Sequence, residues 1–386
     1  MSIKGISLAL CVLIFGEEAH ACCDYSPLMN QVYEFPVSVQ KEMASLITDS
    51  KLHIFFCGTG NPQVTMQEIR KPACLAVIGN NEFFLIDAGE GSSQTIASLA
   101  LPYPAISKVF MTHWHSDHFA GLGSVINDTW KDGRTTQFDV YGPFGVDKVV
   151  NGINESYYLD ALYRTINSDG TLDPAMAMAK SNYIGQSRTP KEVYNKNDVK
   201  VSAFSVDHTP SYPALGYTLG FKNCHVTVSG DTKVVDSLAK ASQNVDVLIS
   251  EVLSAAIVNA AETAAKADKS IPTTTLDEDL EITYSLSKYH ANSYDLAKLA
   301  ADNKVKNLFL THLVPAIDNS DESKSAFVAG MSDYYKGPMT VANDKDHLIL
   351  ESTRAGCKVT FVPFAKSQVA AEMSATVPSA NQTTSK

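Results

Sequence analysis

The sequence predicts an α/β fold built in layers, sheets covered by helices, and three observations predict it. The 386 residues are 45% hydrophobic and only 19% charged, which supplies enough apolar surface for one large domain or two ordinary ones. Short β-rich runs open the main part of the chain and recur after position 199, with helix-like stretches between them. No short-period repeat runs through them.

The elements follow in order. "LHIFFC" (52–57), "ACLAVIG" (73–79) and "EFFLIDAG" (82–89) read as strands, the last two joined by Asn80 and Asn81, a pair suited to a tight hairpin turn. "KVFMTH" (108–113) is a further strand, followed by a helix starting near Phe119 and by "FDVYGP" (138–143). Residues 145–196 change texture, being rich in Tyr, Met, Asn and Ser, with helical stretches and little strand signal. Strands return as "VKVSAFSVDH" (199–208), "ALGYTLGF" (214–221), "CHVTVSGD" (224–231) and "VDVLISEV" (245–252), with a helix expected over 234–243. A second insert, 253–289, pairs an Ala-rich amphipathic piece with "SIPTTTLDEDLE". The end alternates again, through helix "SYDLAKLAADN", strand "NLFLTHL", a helix, and strands within "MTVAND", "HLILES" and "KVTFVPF".

The ends of the chain read differently. Residues 1–21 have a basic start, a short apolar run and a small-residue Ala19-His20-Ala21 site, the pattern of a signal peptide, so a periplasmic or secreted protein is expected. No segment has the roughly 18 uninterrupted apolar residues of a stable membrane span. Residues 22–50 form an N-terminal segment, 51–365 the main domain with its two inserts, and 366–386 a polar, aperiodic tail that reads as disordered. Cleavage leaves Cys22, Cys23, Cys57, Cys74, Cys224 and Cys357; bridges 57–74 and 224–357 are compatible with neighbouring strands, as are buried free thiols. The formal charge of −11 argues against an extended phosphate-binding face and hence against nucleic acid as a partner.

The chemistry concentrates in "MTHWHSDHFAGLG", residues 111–123. His113 and His115 stand two apart at the end of an apolar strand, and such residues in extended chain point the same way, so both imidazoles can grip one ion. Asp117 and His118 follow where the chain turns into helix, and so leave in another direction, toward a second ion. Zinc suits such ligands and in catalytic sites keeps one position open for water. One cluster cannot fill two coordination shells. His208 after "VSAFSVD", Asp231 after "VTVSG" and His312 after "LFLT" share the context of a ligand following an apolar strand.

His-x-His-x-Asp-His, then His, Asp and His, resembles the pattern of the metallo-β-lactamase superfamily at all seven positions, over about residues 50–365. The resemblance implies a four-layered αββα sandwich. It implies that His113, His115 and His208 hold one metal, that Asp117, His118 and His312 hold the other, and that Asp231 bridges them. "GTGNP" (58–62), "FSVDHTPSYPALGYTL" (204–219), "SGDT" (229–232) and "YHANSYDLAKLA" (289–300) are similar to the tRNase Z group and its exported arylsulfatase-like relatives. In that group a His at the position of His290, paired with a Glu at that of Glu251, implies a proton for the leaving group. The residues alone say less, a lone helix-start histidine and a strand-end acid. tRNase Z enzymes carry a long arm between the third-motif His and the bridging Asp, whereas only 22 residues separate His208 from Asp231 here.

These readings predict an exported dinuclear zinc hydrolase that uses a metal-bound hydroxide on a small ester, with aryl sulfates and phosphodiesters favoured. Zinc lowers the pKa of a bound water to about 7. Asp117 then orients the nucleophile and His290, with Glu251, protonates the departing oxygen. Two Zn²⁺ are expected, with Mn²⁺ or Fe as substitutes; the partner is a small-molecule ester, and a homodimer is allowed for. The alternatives are a tRNase Z-type endoribonuclease maturing tRNA 3′ ends, a lactonase, and a non-catalytic metal-binding member of the fold. The inserts are the expected specificity elements, Tyr157, Tyr158, Tyr163, Met176 and Met178 lining a substrate wall or packing the insert's own core, and Trp114 is expected behind the metal loop.

Overall fold

A computed structural model describes residues 37–268, 270, 281 and 284–367. The signal-peptide reading, Cys22 and Cys23, nearly all of the tail and part of the second insert lie outside the described residues. Two mixed sheets face each other. One runs, edge to edge, β15 (Gly356–Val362), β14 (His347–Thr353), β1 (Leu52–Gly58), β2 (Cys74–Gly79), β3 (Glu82–Ile86), β4 (Lys108–Phe110), β5 (Phe138–Gly142) and β6 (Ala179–Tyr183). The other runs β13 (Met339–Val341), β12 (Leu308–Val314), β11 (Val247–Leu253), β10 (Cys224–Val228), β9 (Ser211–Phe221), β8 (Val199–His208) and β7 (Lys191–Lys196).

Period-two alternation builds the layers. On β1 and β2, Ile54, Phe56, Leu75 and Val77 point between the sheets, where they meet Val201, Leu219, Val226 and Ile249. Phe55, Ala76 and Ile78 point outward, against Ile96, Val125 and Val150 of the helices Ser92–Ala97, Leu122–Lys131 and Val146–Asn167. On the far side, Phe204, Leu248 and Leu310 pack on Leu238, Leu296 and Phe327. The result is the αββα sandwich. Each fully buried Phe or Leu contributes about 1.5–3 kcal/mol over its exposed state, so the two faces of each sheet must both be covered.

The β2–β3 hairpin turns on Asn80 and Asn81, with φ of 46° and 70°, as their residue types suggest. The first insert departs from expectation. After the helix Val146–Asn167 it supplies β6 and β7, each an edge strand, reading AKSNY and KEVYNK. An edge strand pairs on one side only and tolerates charge on the other, so its sequence carries no apolar alternation. Cys57–Cys74 and Cys224–Cys357 form disulfides with Cα separations of 4.9 Å each. The second ties β10 of one sheet to β15 of the other.

Candidate metal centre

Local backbone geometry delivers the seven expected ligands to one place. The chain leaves β4 extended, and His115 stands just before the one-turn helix Ser116–Phe119 with its side chain making no capping bond; that helix carries Asp117 and His118 and begins three residues earlier than the sequence suggested. His208 is the last residue of β8, just past a register shift. Asp231 follows Gly230, whose φ is +60° and where a Cβ would fall 2.4 Å from the Leu215 carbonyl oxygen, so only glycine fits. His312 lies within β12 and not beyond its end. Glu251 pairs with Thr311 and Val252 with Leu313, which makes His312 the extra residue of a bulge, with φ of 44°, and turns its side chain toward the site.

Three ring nitrogens converge in the first set. His113 Nε2 is 3.0 Å from His115 Nδ1, and His208 Nε2 is 3.2 Å from the same atom. Zn–N bonds of about 2.0–2.1 Å would set tetrahedral nitrogens roughly 3.3–3.4 Å apart, a little wider than these contacts, so one shared ion fits with a small outward shift of the rings. In the second set, Asp117 Oδ2 is 3.1 Å from His312 Nε2 and 3.6 Å from His118 Nε2. Asp231 Oδ2 lies 3.3 Å from His312 Nε2, 3.4 Å from His118 Nε2 and 3.7 Å from His208 Nε2, between the two sets. Among the described residues, His118 Nε2 is buried without a hydrogen-bond partner. That orphaned nitrogen, the nitrogen spacing and the carboxylate between the sets fit zinc.

Tautomers and charge agree. His208 Nδ1 donates to the Tyr289 carbonyl at 2.9 Å and His118 Nδ1 to Asp87 Oδ2 at 2.7 Å, which frees each Nε2 as a ligand. Burial, reinforced by His118, holds His113 well below the usual imidazole range and so neutral. Burial also lowers His115 and His208. At His118 burial acts the same way, but Asp231, Asp87 and Asp117 outweigh it and push the ring well above its ordinary value. Asp231 feels burial as an upward push, yet His312 and His118 hold its carboxyl well below the usual range. Buried carboxylates crowded on these histidines favour cations at this point. His115 is the exposed ligand and marks the open side.

His290 joins the group. Its ring centroid is 5.1 Å from that of His208 and 5.7 Å from that of His312. Glu251 Oε1 accepts from His290 Nδ1 at 3.2 Å, from Thr232 N at 2.9 Å and from Ala291 N at 3.1 Å. Burial alone would lower His290, but the Glu251 charge and hydrogen bond outweigh it and hold the pKa at about 9. Asp87 was not singled out from sequence, although "EFFLID" repeats the strand-then-acid context of the other ligands. It is buried and also accepts from Thr112 N and Thr112 Oγ1, both at 2.8 Å. Of the two readings of the first insert's Tyr and Met residues, the structure favours core packing for the methionines. Met176 and Met178 pack beside Trp130 in the insert's own small core, while Tyr158 and Tyr163 are exposed on the helix Val146–Asn167. Trp114 Nε1 donates to the Phe144 carbonyl at 3.0 Å, and its ring lies against Phe119 and Gly142.

Residues 52–253, just over half of the 386-residue chain, match the family model described as Anti-Pycsar protein Apyc1. Among curated proteins, ribonuclease Z of Mycobacterium bovis (strain BCG / Pasteur 1173P2) is 27% identical over 297 residues, covering 76% of this chain and 96% of its own. Ribonuclease Z of Mycobacterium marinum is 25% identical over 296 residues, with the same coverage of 76% and 96%. Among solved structures, the metallo-β-lactamase fold protein YhfI from Bacillus subtilis aligns with a TM-score of 0.53 at 15% identity, covering 78% of this chain and 99% of its own. The short form of human tRNase Z aligns with a TM-score of 0.50 at 20% identity, covering 76% and 98%. Both share the fold.

Proposed function

Because this chain belongs to the Anti-Pycsar protein Apyc1 family, on the metallo-β-lactamase fold and similar to ribonuclease Z, we propose that it is a two-zinc hydrolase of phosphodiester bonds. The observation that carries this is the Asp231 carboxylate standing between two ligand sets, with the His290–Glu251 pair beside them. His113, His115 and His208 would hold one zinc, Asp117, His118 and His312 the other, and Asp231 both. Zinc bound there would supply Lewis acidity and a water with its pKa lowered to about 7. Asp117 orients the attacking water and takes its proton. His290, whose pKa Glu251 raises against the effect of burial, gives a proton to the oxygen that leaves. One P–O bond forms to the water oxygen, one breaks, and the products are an alcohol and a phosphomonoester. Glu251 fixes the His290 ring through Nδ1 and leaves Nε2 to act.

The ribonuclease Z relatives weigh toward phosphodiesters and give no support to aryl sulfates. They also favour a second reading, cleavage of RNA of the ribonuclease Z kind. Against tRNA stands the β9–β10 hairpin, which turns on Lys222 and Asn223 alone and so leaves no arm between His208 and Asp231. No helix among the described residues is long and apolar enough to cross a membrane. The two disulfides support work in an oxidising compartment, as the signal-peptide reading expects.

The test is hydrolysis of bis(p-nitrophenyl) phosphate beside a tRNA precursor, with zinc counted by metal analysis. Two zinc ions per chain are expected, with activity lost in His115→Ala and Asp231→Ala. His290→Ala is expected to lower kcat about 10²–10⁴-fold on alkyl esters and far less on p-nitrophenyl esters, whose leaving group needs no proton. Fewer than one zinc per chain, or activity that survives Asp231→Ala, overturns the reading. Faster cleavage of the tRNA precursor than of the small diester selects the second one.

A further inference from the structure

His290 also forms part of the wall of a cavity of about 470 Å³ that the hydrolytic machinery does not use. Apart from Asn61 and Gln63, the rest of that wall is carbon. Pro62 follows β1, Ile257, Val258 and Ala261 belong to the helix Ala255–Ala267, and Leu286 and Pro315 close the other sides. Among the described residues no Lys, Arg, Asp or Glu lines it. Of its two amide side chains, Asn61 is committed, its Nδ2 donating to the Leu313 carbonyl at 2.7 Å and its Oδ1 accepting from Gln63 N at 2.9 Å, while Gln63 is exposed at the rim with its Nε2 3.5 Å from Thr65 Oγ1.

We propose that this cavity holds the organic group carried by the departing oxygen, and that this group is uncharged and apolar or aromatic. The proposal rests on the phosphodiesterase reading and names its substrate class. His290 supplies the connection. The side chain placed to protonate the departing oxygen is also a wall of the cavity, so the group bonded to that oxygen is the one that reaches it. The volume falls within the roughly 300–1,000 Å³ of small-molecule sites and takes an aromatic ring with room to spare. An aromatic group buries about 150–250 Å² of surface, which a mainly carbon wall without charged side chains rewards. A phosphate-bearing strand would lose hydration there with no cation in return, so a polynucleotide leaving group is disfavoured.

The experiment uses the full-length zinc-loaded protein, bis(p-nitrophenyl) phosphate as substrate, and 1-naphthol and glycerol as leaving-group mimics. Ala261 is exposed, so Ala261→Trp fills the cavity from outside without disturbing the core. It is expected to raise KM at least tenfold with kcat within about twofold, and Leu286→Asn is expected to raise KM several-fold. 1-Naphthol is expected to inhibit competitively with a Ki at least tenfold below that of glycerol. It should also bind chelator-stripped protein, read by its own fluorescence, and lose that binding in Ala261→Trp. An unchanged KM in a folded Ala261→Trp, or naphthol no better than glycerol, overturns the proposal while leaving diester hydrolysis standing. Naphthol binding with no diester cleavage would instead remove the phosphodiesterase reading and with it the assignment of the occupant.

Discussion

Replacing Asp87 with Asn tests whether the ligand geometry is imposed from behind the ligands. Asp87 is 4% exposed and touches no candidate ion site directly. Its Oδ2 accepts from His118 Nδ1 at 2.7 Å and from Thr112 Oγ1 at 2.8 Å, and its Oδ1 from Thr112 N at 2.8 Å. Thr112 Oγ1 in turn lies 3.0 Å from His113 Nδ1, so one carboxylate steadies a ligand from each set. An Asn amide keeps the shape but offers one accepting end, so its NH₂ must face either the His118 N–H or the Thr112 N–H. The lost charge-assisted bond is worth about 1.5–3 kcal/mol. His118 is then free to carry its proton on Nε2, the atom a metal needs. Zinc affinity of the second set is expected to fall about 10–100-fold, or roughly 1.4–2.7 kcal/mol. Asn is the right replacement because Asp87 sits at φ 58°, where Asn is tolerated and Ala would add backbone strain. Competition with a chromogenic chelator reads the affinity, and thermal melting confirms folding. Two zinc ions held as tightly as in the unaltered chain would refute the argument.

Two further outcomes concern stability. Burial, with His53 beside it, pushes His347 down to a pKa of about 3, against roughly 6.5 when unfolded. Its contribution is therefore full above about pH 6.5 and is lost as pH falls toward 3, by about 1.4 kcal/mol per pH unit. His347→Phe, which keeps the ring on Phe55, should flatten that dependence by one proton in urea titrations between pH 7 and 5; an unchanged slope would count against it. The Cys224–Cys357 bridge closes a separation of 133 residues, for which chain entropy gives about 5 kcal/mol and practice usually less. Cys224→Ala with Cys357→Ala should lower the guanidinium midpoint accordingly, and a shift under about 1 kcal/mol would show that the link adds little.

Much of the site was legible because its ligands follow local rules. His113 and His115 share a direction in extended chain, Asp117 and His118 leave on the next turn, and the hairpin at Asn80 and Asn81 needs only residues that accept positive φ. His312 shows where local rules stop. The sequence places it after an apolar run, but its aim depends on a bulge against β11, which exists only once the two strands pair. The same holds for Asp87, whose importance lies in a 2.7 Å contact to a residue 31 positions away. The edge strands β6 and β7 were missed because their pairing is decided by the sheets they join and not by their own polar sequences.

By itself, then, the sequence determined the alternation of strands and helices and the seven candidate ligands, since periodicity and donor chemistry are properties of single residues and their neighbours. The family resemblance implied that Asp231 stands between the two sets and that Glu251 meets His290, but only the tertiary structure set the distances of those contacts and placed a largely carbon-lined cavity beside that histidine. Those relations join residues tens to hundreds of positions apart. Their distances are set by how the two sheets pack, a long-range property that no local stretch of chain encodes.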